Sequence, residues 1–190
     1  MPSKHFLYLT DNERINDEKM TLTLKRLHNM GNNLPNYTKD SMYYSECSNG
    51  YVLRLESGEE IQEALRQFAV SLELKGGFYQ GIGTLANVEL AFYRVNERRY
   101  ERKIFPHDYE IISLMGNISQ GLDEPLVHSH VCLGDSAFNT ISGHLVHGTV
   151  SLTAEILITP VNIALTRKED PVLQFKALVS QNRSKLKMQF

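Results

Sequence analysis

From Tyr51 onward the apolar positions follow two distinct periods. Tyr51-Val52-Leu53-Arg54-Leu55 reads as a strand. Ile61, Leu65, Phe68, Ala69 and Leu72 then recur at the spacing of one helical face. Ser57, followed three residues later by Glu60, fits a capping box ahead of that helix. Gly76-Gly77 predicts its end at a left-handed cap. Beyond it the pattern turns to strands, predicted at 88–93, 100–105, 109–114, 126–133, 144–159 and 172–179. Asn96, Pro106, Gly116-Asn117, Gly121, Gly134-Asp135, Pro160 and Asp170-Pro171 supply the turn signals between them. One early helix among many strands predicts an α+β domain on a largely antiparallel sheet. Gly81-Ile82-Gly83-Thr84-Leu85-Ala86 has the letters of a dinucleotide fingerprint, but that motif needs a strand before it and a helix after it. Here a helix precedes and strand-like sequence follows, so a bulge or close backbone approach explains the glycines better.

The first fifty residues differ. Residues 10–50 are rich in Asn, Asp, Ser, Lys and Gly, with too little apolar content for a core of their own. The expected organisation is a loosely ordered arm or extra strand over 1–48, one domain over 49–180, and a basic tail over 181–190 that carries Arg183, Lys185 and Lys187. A length of 190 residues agrees with a single domain. No apolar run approaches the roughly 18–20 residues that span a bilayer, and no signal-peptide core follows the N-terminus. The expectation is a cytoplasmic protein without a membrane partner. Cys47 and Cys132 are far apart and show no CxxC spacing, which predicts two free thiols. Lys and Arg number 20 against 22 Asp and Glu, a net charge of -2 that lacks the strong positive balance of most nucleic-acid binders.

Candidate chemistry concentrates in the histidines. Of the 7 in the chain, His107, His128, His130, His144 and His147 fall in the second half. Strand alternation puts Leu126, His128, His130 and Cys132 on one face, and Val127, Ser129, Val131 and Leu133 on the other. His128 and His130 are then about 6.6 Å apart along the strand, a workable separation for two ligands of one metal. His144, beyond the 134–143 connection, is the third candidate. Zinc often sits on three histidines with an open fourth position. Alternation turns His147 away from His144, and His5, His28 and His107 read as surface residues. Cys132 shares the HxH face but reads as an inert buried thiol. The basic residues Arg94, Arg98, Arg99, Arg102 and Lys103 are interleaved with Glu97 and Glu101, as on a solvated hairpin tip. No nucleophile elbow, P-loop or HExxH is present. A cupin would place a Glu soon after its HxH pair; none occurs here until Glu155.

The stretch from Tyr51 to about Val179 resembles the plant-and-prokaryote-conserved (PPC) domain family. The resemblance is carried by Tyr51-Val52-Leu53-Arg54-Leu55-Glu56-Ser57-Gly58-Glu59, Gly81-Ile82-Gly83 and the run from Tyr109 to Ile118. It continues in Pro125-Leu126-Val127-His128-Ser129-His130-Val131-Cys132-Leu133-Gly134-Asp135 and closes in Gly143-His144-Leu145-Val146-His147-Gly148. It implies an α+β fold with a curved, mainly antiparallel sheet, one main helix packed on it, and a homotrimer. The family's His-x-His and Gly-His-Leu positions fall on His128, His130 and His144, which implies a metal site. Plant relatives bind the minor groove through AT-hooks; this chain has no Arg-Gly-Arg-Pro core. The segment used for partner contact in plants corresponds to 107–112. Its usual Gly-Arg-Phe opening is replaced by His107-Asp108-Tyr109.

Together these readings predict a trimeric, metal-binding regulatory protein, with Zn2+ or another divalent metal on His128, His130 and His144. Any association with DNA is expected to be weak and salt-dependent. The alternative is a metal-dependent enzyme acting on a small molecule through the same three-histidine zinc site. Glu110 and Glu155 are then the candidate general bases, neither favoured by sequence.

Overall fold

The computed structural model describes residues 42–172 and 174–180. The elements run β1 Tyr43–Cys47, β2 Gly50–Glu56, α1 Ile61–Ser71, β3 Gly77–Arg94, β4 Arg99–Phe105, β5 Tyr109–Gln120, β6 Pro125–Gly134, β7 Thr140–Pro160, β8 Leu165–Glu169 and β9 Lys176–Ser180. The strands form a single sheet in the order β1-β2-β7-β3-β5-β8-β9, with β4 paired to β3 and β6 paired to both β5 and β7. All pairings are antiparallel except the short β5–β8 contact at Gln120 and Thr166. The expected α+β class with a mainly antiparallel sheet is what the chain adopts. Because β3 pairs with both β5 and β7, and β6 does the same, these four strands make a closed circuit of hydrogen-bonded neighbours.

The helix lies where periodicity puts it, but its ends differ from expectation. Its N-cap is Glu60, whose carboxylate accepts from the backbone N–H of Glu63 at 2.7 Å. Ser57 is part of the turn that precedes it. Glu60 also accepts from the N–H of Gly148 at 3.1 Å, which docks the helix start on β7. At the other end the left-handed position falls on Glu73 (φ 50°), not on Gly76-Gly77. The N–H groups of Glu73 and Leu74 reach back to the carbonyls of Val70 and Ala69 and satisfy the last turn.

Ile61, Ala64, Leu65, Phe68 and Ala69 form the buried face of α1. They join Leu53, Leu55, Leu145, Val150, Ile156 and Ile158 in one buried core, and the helix packs chiefly on β6 and β7. Each large side chain so buried contributes about 1.5–3 kcal/mol. Tyr44 and Tyr51 meet Phe68 edge-on, with ring centroids 5.4 and 5.5 Å away, and this holds β1 against the domain. Tyr43–Cys47 is thus a strand inside the segment expected as an arm or extra strand; residues 1–41 and the 181–190 tail lie outside the described residues.

Two further boundaries depart from the sequence reading. Gly116-Asn117, read as a turn, lies inside β5. The strand expected at 172–179 is replaced by a hairpin of β8 and β9, whose turn contains Asp170-Pro171. The glycines of the false fingerprint do mark a bulge. The β3–β5 register shifts between Gly81 and Gly83, and Gly83 sits at φ 145°, where a Cβ would meet the Thr153 carbonyl at 2.3 Å.

The sheet face away from α1 is less covered. Val52, Ile82, Ile112, Met115, Leu152 and Leu157 are exposed on β2, β3, β5 and β7.

Candidate metal centre

The site is built on the β6–β7 hairpin. Asp135 opens its turn and accepts from the N–H groups of Ala137 and Asn139, both at 2.9 Å. These bonds hold the Asp135 carboxylate below its ordinary pKa, that from Asn139 most. The tight turn pairs Gly134 with Thr140, and the same register brings His130 opposite His144. His128 is two residues further along β6 on the same face. Ring centroids are 5.1 Å apart for His128–His130, 4.9 Å for His128–His144 and 5.7 Å for His130–His144. One nitrogen from each ring lies within 4.8 Å of the others. Alternation along β6 is as the sequence predicts: Ser129, Val131 and Leu133 are buried toward the core.

A buried polar network supports the strand from the core side. The Ser129 hydroxyl, fully buried, donates to Gln62 Oε1 and sits 2.5 Å from the Tyr79 hydroxyl. Tyr79 also donates to the carbonyl of His128 at 3.1 Å, and burial pushes its pKa up. Gln62 Nε2 donates to the carbonyl of Leu145 at 2.8 Å. One helix residue therefore ties down both histidine-bearing strands. Gly116 leaves room for this network, since a Cβ there would meet the Tyr79 hydroxyl at 2.2 Å and the His128 carbonyl at 2.3 Å.

The electrostatics favour neutral rings at His128 and His144. Burial, reinforced by the Arg167 guanidinium and then the neighbouring imidazoles, lowers the His128 pKa to about 4. His144 is lowered mainly by burial, then by His130, Arg167 and Arg102. Neutral imidazole is the form that binds a metal. The Nδ1 atom of His144 is buried and has no hydrogen-bond partner, a desolvation cost that a bound ion or ligand would relieve. Three neutral nitrogen donors suit a borderline-soft divalent cation such as zinc. A nitrogen-bound ion at about 2.0–2.1 Å needs its ligands within about 4.2 Å of one another, so any wider pair closes by ring rotation.

Arg167 is the main residue that sequence reasoning missed. It reaches from β8 and donates to Ser119 Oγ at 3.2 Å, the Lys176 carbonyl at 2.9 Å and Asn117 Oδ1 at 2.7 Å. Its Nη2 also lies 3.0 Å from Nδ1 of His128. All four acceptors are neutral. The alternation of Thr166, Arg167 and Lys168 carries no hint of this, because the contact depends on how the β8–β9 hairpin meets β5.

The other candidates fall outside the cluster. His147 is on the opposite side, with Nδ1 3.6 Å from a Glu60 carboxylate oxygen, and His107 is exposed. His5 and His28 lie outside the described residues. The two described cysteines are free, and Cys132 is partly exposed where full burial was expected. It lines a cavity of about 600 Å³ together with His130, His144, Phe92, Tyr93 and Tyr100. Neither Glu110 nor Glu155 lines that cavity. The basic hairpin is a solvated, ion-paired tip: Arg94 meets Glu101 at 2.6 Å, Arg99 meets Glu97, and Arg102 meets Glu89 at 3.4 Å.

Similar folds are known. A plant- and prokaryote-conserved (PPC) protein from Pyrococcus horikoshii is 29% identical, with a TM-score of 0.63 over 80% of this chain and 99% of its own. A "putative DNA binding protein" from Bacteroides thetaiotaomicron is 25% identical, with a TM-score of 0.71 over 74% of this chain and 99% of its own. A protein from Archaeoglobus fulgidus described as metal-containing shares the fold at 23% identity, with a TM-score of 0.65 over 74% of this chain and 99% of its own. No curated protein matches the chain at a significant level. Among the described residues no helix is long and apolar enough to cross a membrane. The Plants and Prokaryotes Conserved (PCC) domain model matches residues 42–162, the span that contains all three clustered histidines. The chain belongs to the Plants and Prokaryotes Conserved domain family.

Proposed function

We propose that this chain is a metal-binding protein that holds a divalent cation, zinc first, on His128, His130 and His144. The observation that carries the reading is the convergence of three imidazole nitrogens within 4.8 Å on one face of the β6–β7 hairpin. The test is metal analysis of the purified, untagged chain before and after a strong chelator. His128→Ala and His144→Ala should each abolish zinc binding, while His147→Ala should leave it intact. A triple variant of the cluster that retains as much zinc as wild type would falsify the assignment.

The wider reading is a homotrimer with a regulatory role and weak contact with DNA. The exposed apolar face around Val52, Ile82, Leu152 and Leu157 supports assembly, because such a surface favours a partner. The fold shared with the Bacteroides protein is the reason to consider DNA.

A second reading, a metal-dependent enzyme acting on a small molecule, is favoured by one feature. Three protein ligands leave a zinc position open, and a cavity of about 600 Å³ adjoins two of them. Turnover that depends on the metal and is lost in His130→Ala would select it over the regulatory one.

A further inference from the structure

The cavity beside the histidines has an ordered floor. One cross-strand row runs Met115, His130, His144 and Ala91 over β5, β6, β7 and β3. The next row, on the side away from His128, runs Ser113, Cys132 and Ser142. Tyr93 and Tyr100 rise at one side, their ring centroids 5.0 Å apart and that of Tyr100 5.4 Å from His144, and no aspartate or glutamate is among the lining residues. Behind the cluster stands Arg167, whose described hydrogen-bond acceptors are all neutral.

These charges do not balance. A divalent ion on three neutral imidazoles keeps its full charge, and the Arg167 guanidinium adds another with no carboxylate beside it. Unlike charges at such separations attract strongly where water is scarce. The wall meanwhile is mostly apolar and aromatic, a surface that rewards burial of a hydrocarbon body. Besides the rings, the side-chain donors of the lining are the hydroxyls of Ser113, Ser142, Tyr93 and Tyr100 and the Cys132 thiol. None of these donors is charged, which suits the second oxygen of a carboxylate better than the concentrated charge of a phosphate dianion.

We infer that the cavity binds a small organic monocarboxylate, with its carboxylate on the metal held by His128, His130 and His144 and its apolar body against Tyr93, Tyr100 and Met115. This rests on the metal reading above.

The test is calorimetric titration of the zinc-loaded full chain with phenylacetate, acetate and 2-phenylethanol as probes. Phenylacetate should bind at least tenfold more tightly than acetate, which lacks the body, and than 2-phenylethanol, which lacks the charge. Chelation of the zinc should remove the difference between acid and alcohol. Tyr100 and Met115 are 44% and 60% exposed, so Tyr100→Ala and Met115→Ala leave the core intact. Each should weaken phenylacetate several-fold without altering zinc content. Zinc uptake with no preference for phenylacetate overturns this inference and leaves the metal reading standing. A chain that takes up no zinc overturns both.

Discussion

Arg167 Nη2 lies 3.0 Å from Nδ1 of His128. A guanidinium only donates, so Nδ1 is the acceptor and the neutral ring carries its proton on Nε2. A metal on Nε2 would require that proton on Nδ1, pointing at the Arg167 N–H; a metal on Nδ1 would displace Arg167 directly. Either way this hydrogen bond breaks when His128 becomes a ligand. Arg167→Gln, whose amide oxygen can accept from Nδ1–H, should therefore raise zinc affinity by about tenfold, the equivalent of one charge-assisted hydrogen bond of about 1.5 kcal/mol. Competition against a chromophoric chelator measures this. Nitrogen NMR of the metal-free imidazoles should show His128 as the Nε2–H tautomer in wild type. An Nδ1–H tautomer there would refute the account.

The depressed pKa values of His128 and His144 set a pH dependence for the metal-free protein. Unfolded, both rings take up protons from about pH 6.5 downward. Folded, His128 resists protonation until about pH 4, and His144 is shifted the same way. The unfolded chain then binds more protons than the folded one, so stability falls as pH drops from about 6.5 toward 4. Thermal unfolding in chelator at pH 7.5, 6 and 5 should show this decline, and His128→Gln should flatten it. Equal slopes for the two proteins would count against the shift.

Gly116 and Tyr79 should couple. Gly116→Ala pushes a methyl into the Tyr79 hydroxyl and the His128 carbonyl, with an expected cost of about 3 kcal/mol. Tyr79→Phe alone removes a buried hydrogen-bonding group and should cost about 1–2 kcal/mol. The double variant should be more stable than the sum of the two losses predicts, because the ring, whose Cζ also lies 2.3 Å from the new methyl, can tilt aside once no hydroxyl ties it to Ser129 and the His128 carbonyl. Denaturant unfolding of the four proteins reads the coupling, and strict additivity would argue that Gly116 is not the seat of the Tyr79 contact.

Assembly is read by light scattering after gel filtration. A trimer predicts a mass near three times 21.7 kDa. Leu152→Glu, at a position 70% exposed in the single chain, should dissociate it if this apolar face is the interface. A monomer at micromolar concentration would rule the trimer out.

DNA binding by the isolated chain should be weak, without sequence preference, and steeply reduced by salt, because counterion release would be its main source. Arg94, Arg99 and Arg102 at the β3–β4 tip are already paired with glutamates. Nanomolar, sequence-selective binding at physiological salt would contradict this.

The strands, the helix face and the three histidines were legible because each depends on local periodicity. His128 and His130 share a face by alternation, and a short turn headed by Asp135 returns His144 to meet them. What escaped depends on partners distant in sequence. Gly116-Asn117 carries a turn signal, yet the glycine is in a strand because the Tyr79 hydroxyl fills the space of a side chain. The capping box at Ser57 was outcompeted by Glu60, which caps the helix and bonds to Gly148 as well. The left-handed turn at Glu73 has no glycine to announce it.

The β8–β9 hairpin begins at Leu165, beyond the 42–162 span that matches the family. The three histidines thus lie inside the span matched by the family model, while the guanidinium that touches one of them comes from the hairpin that follows it. A chain cut at residue 162 would keep every candidate ligand and lose the residue that competes for it. The candidate ligands and the guanidinium that contacts one of them are thus carried on different strands, so a change at Arg167 alters the hydrogen bonding of His128 with no change to any candidate ligand or to the strands that carry them.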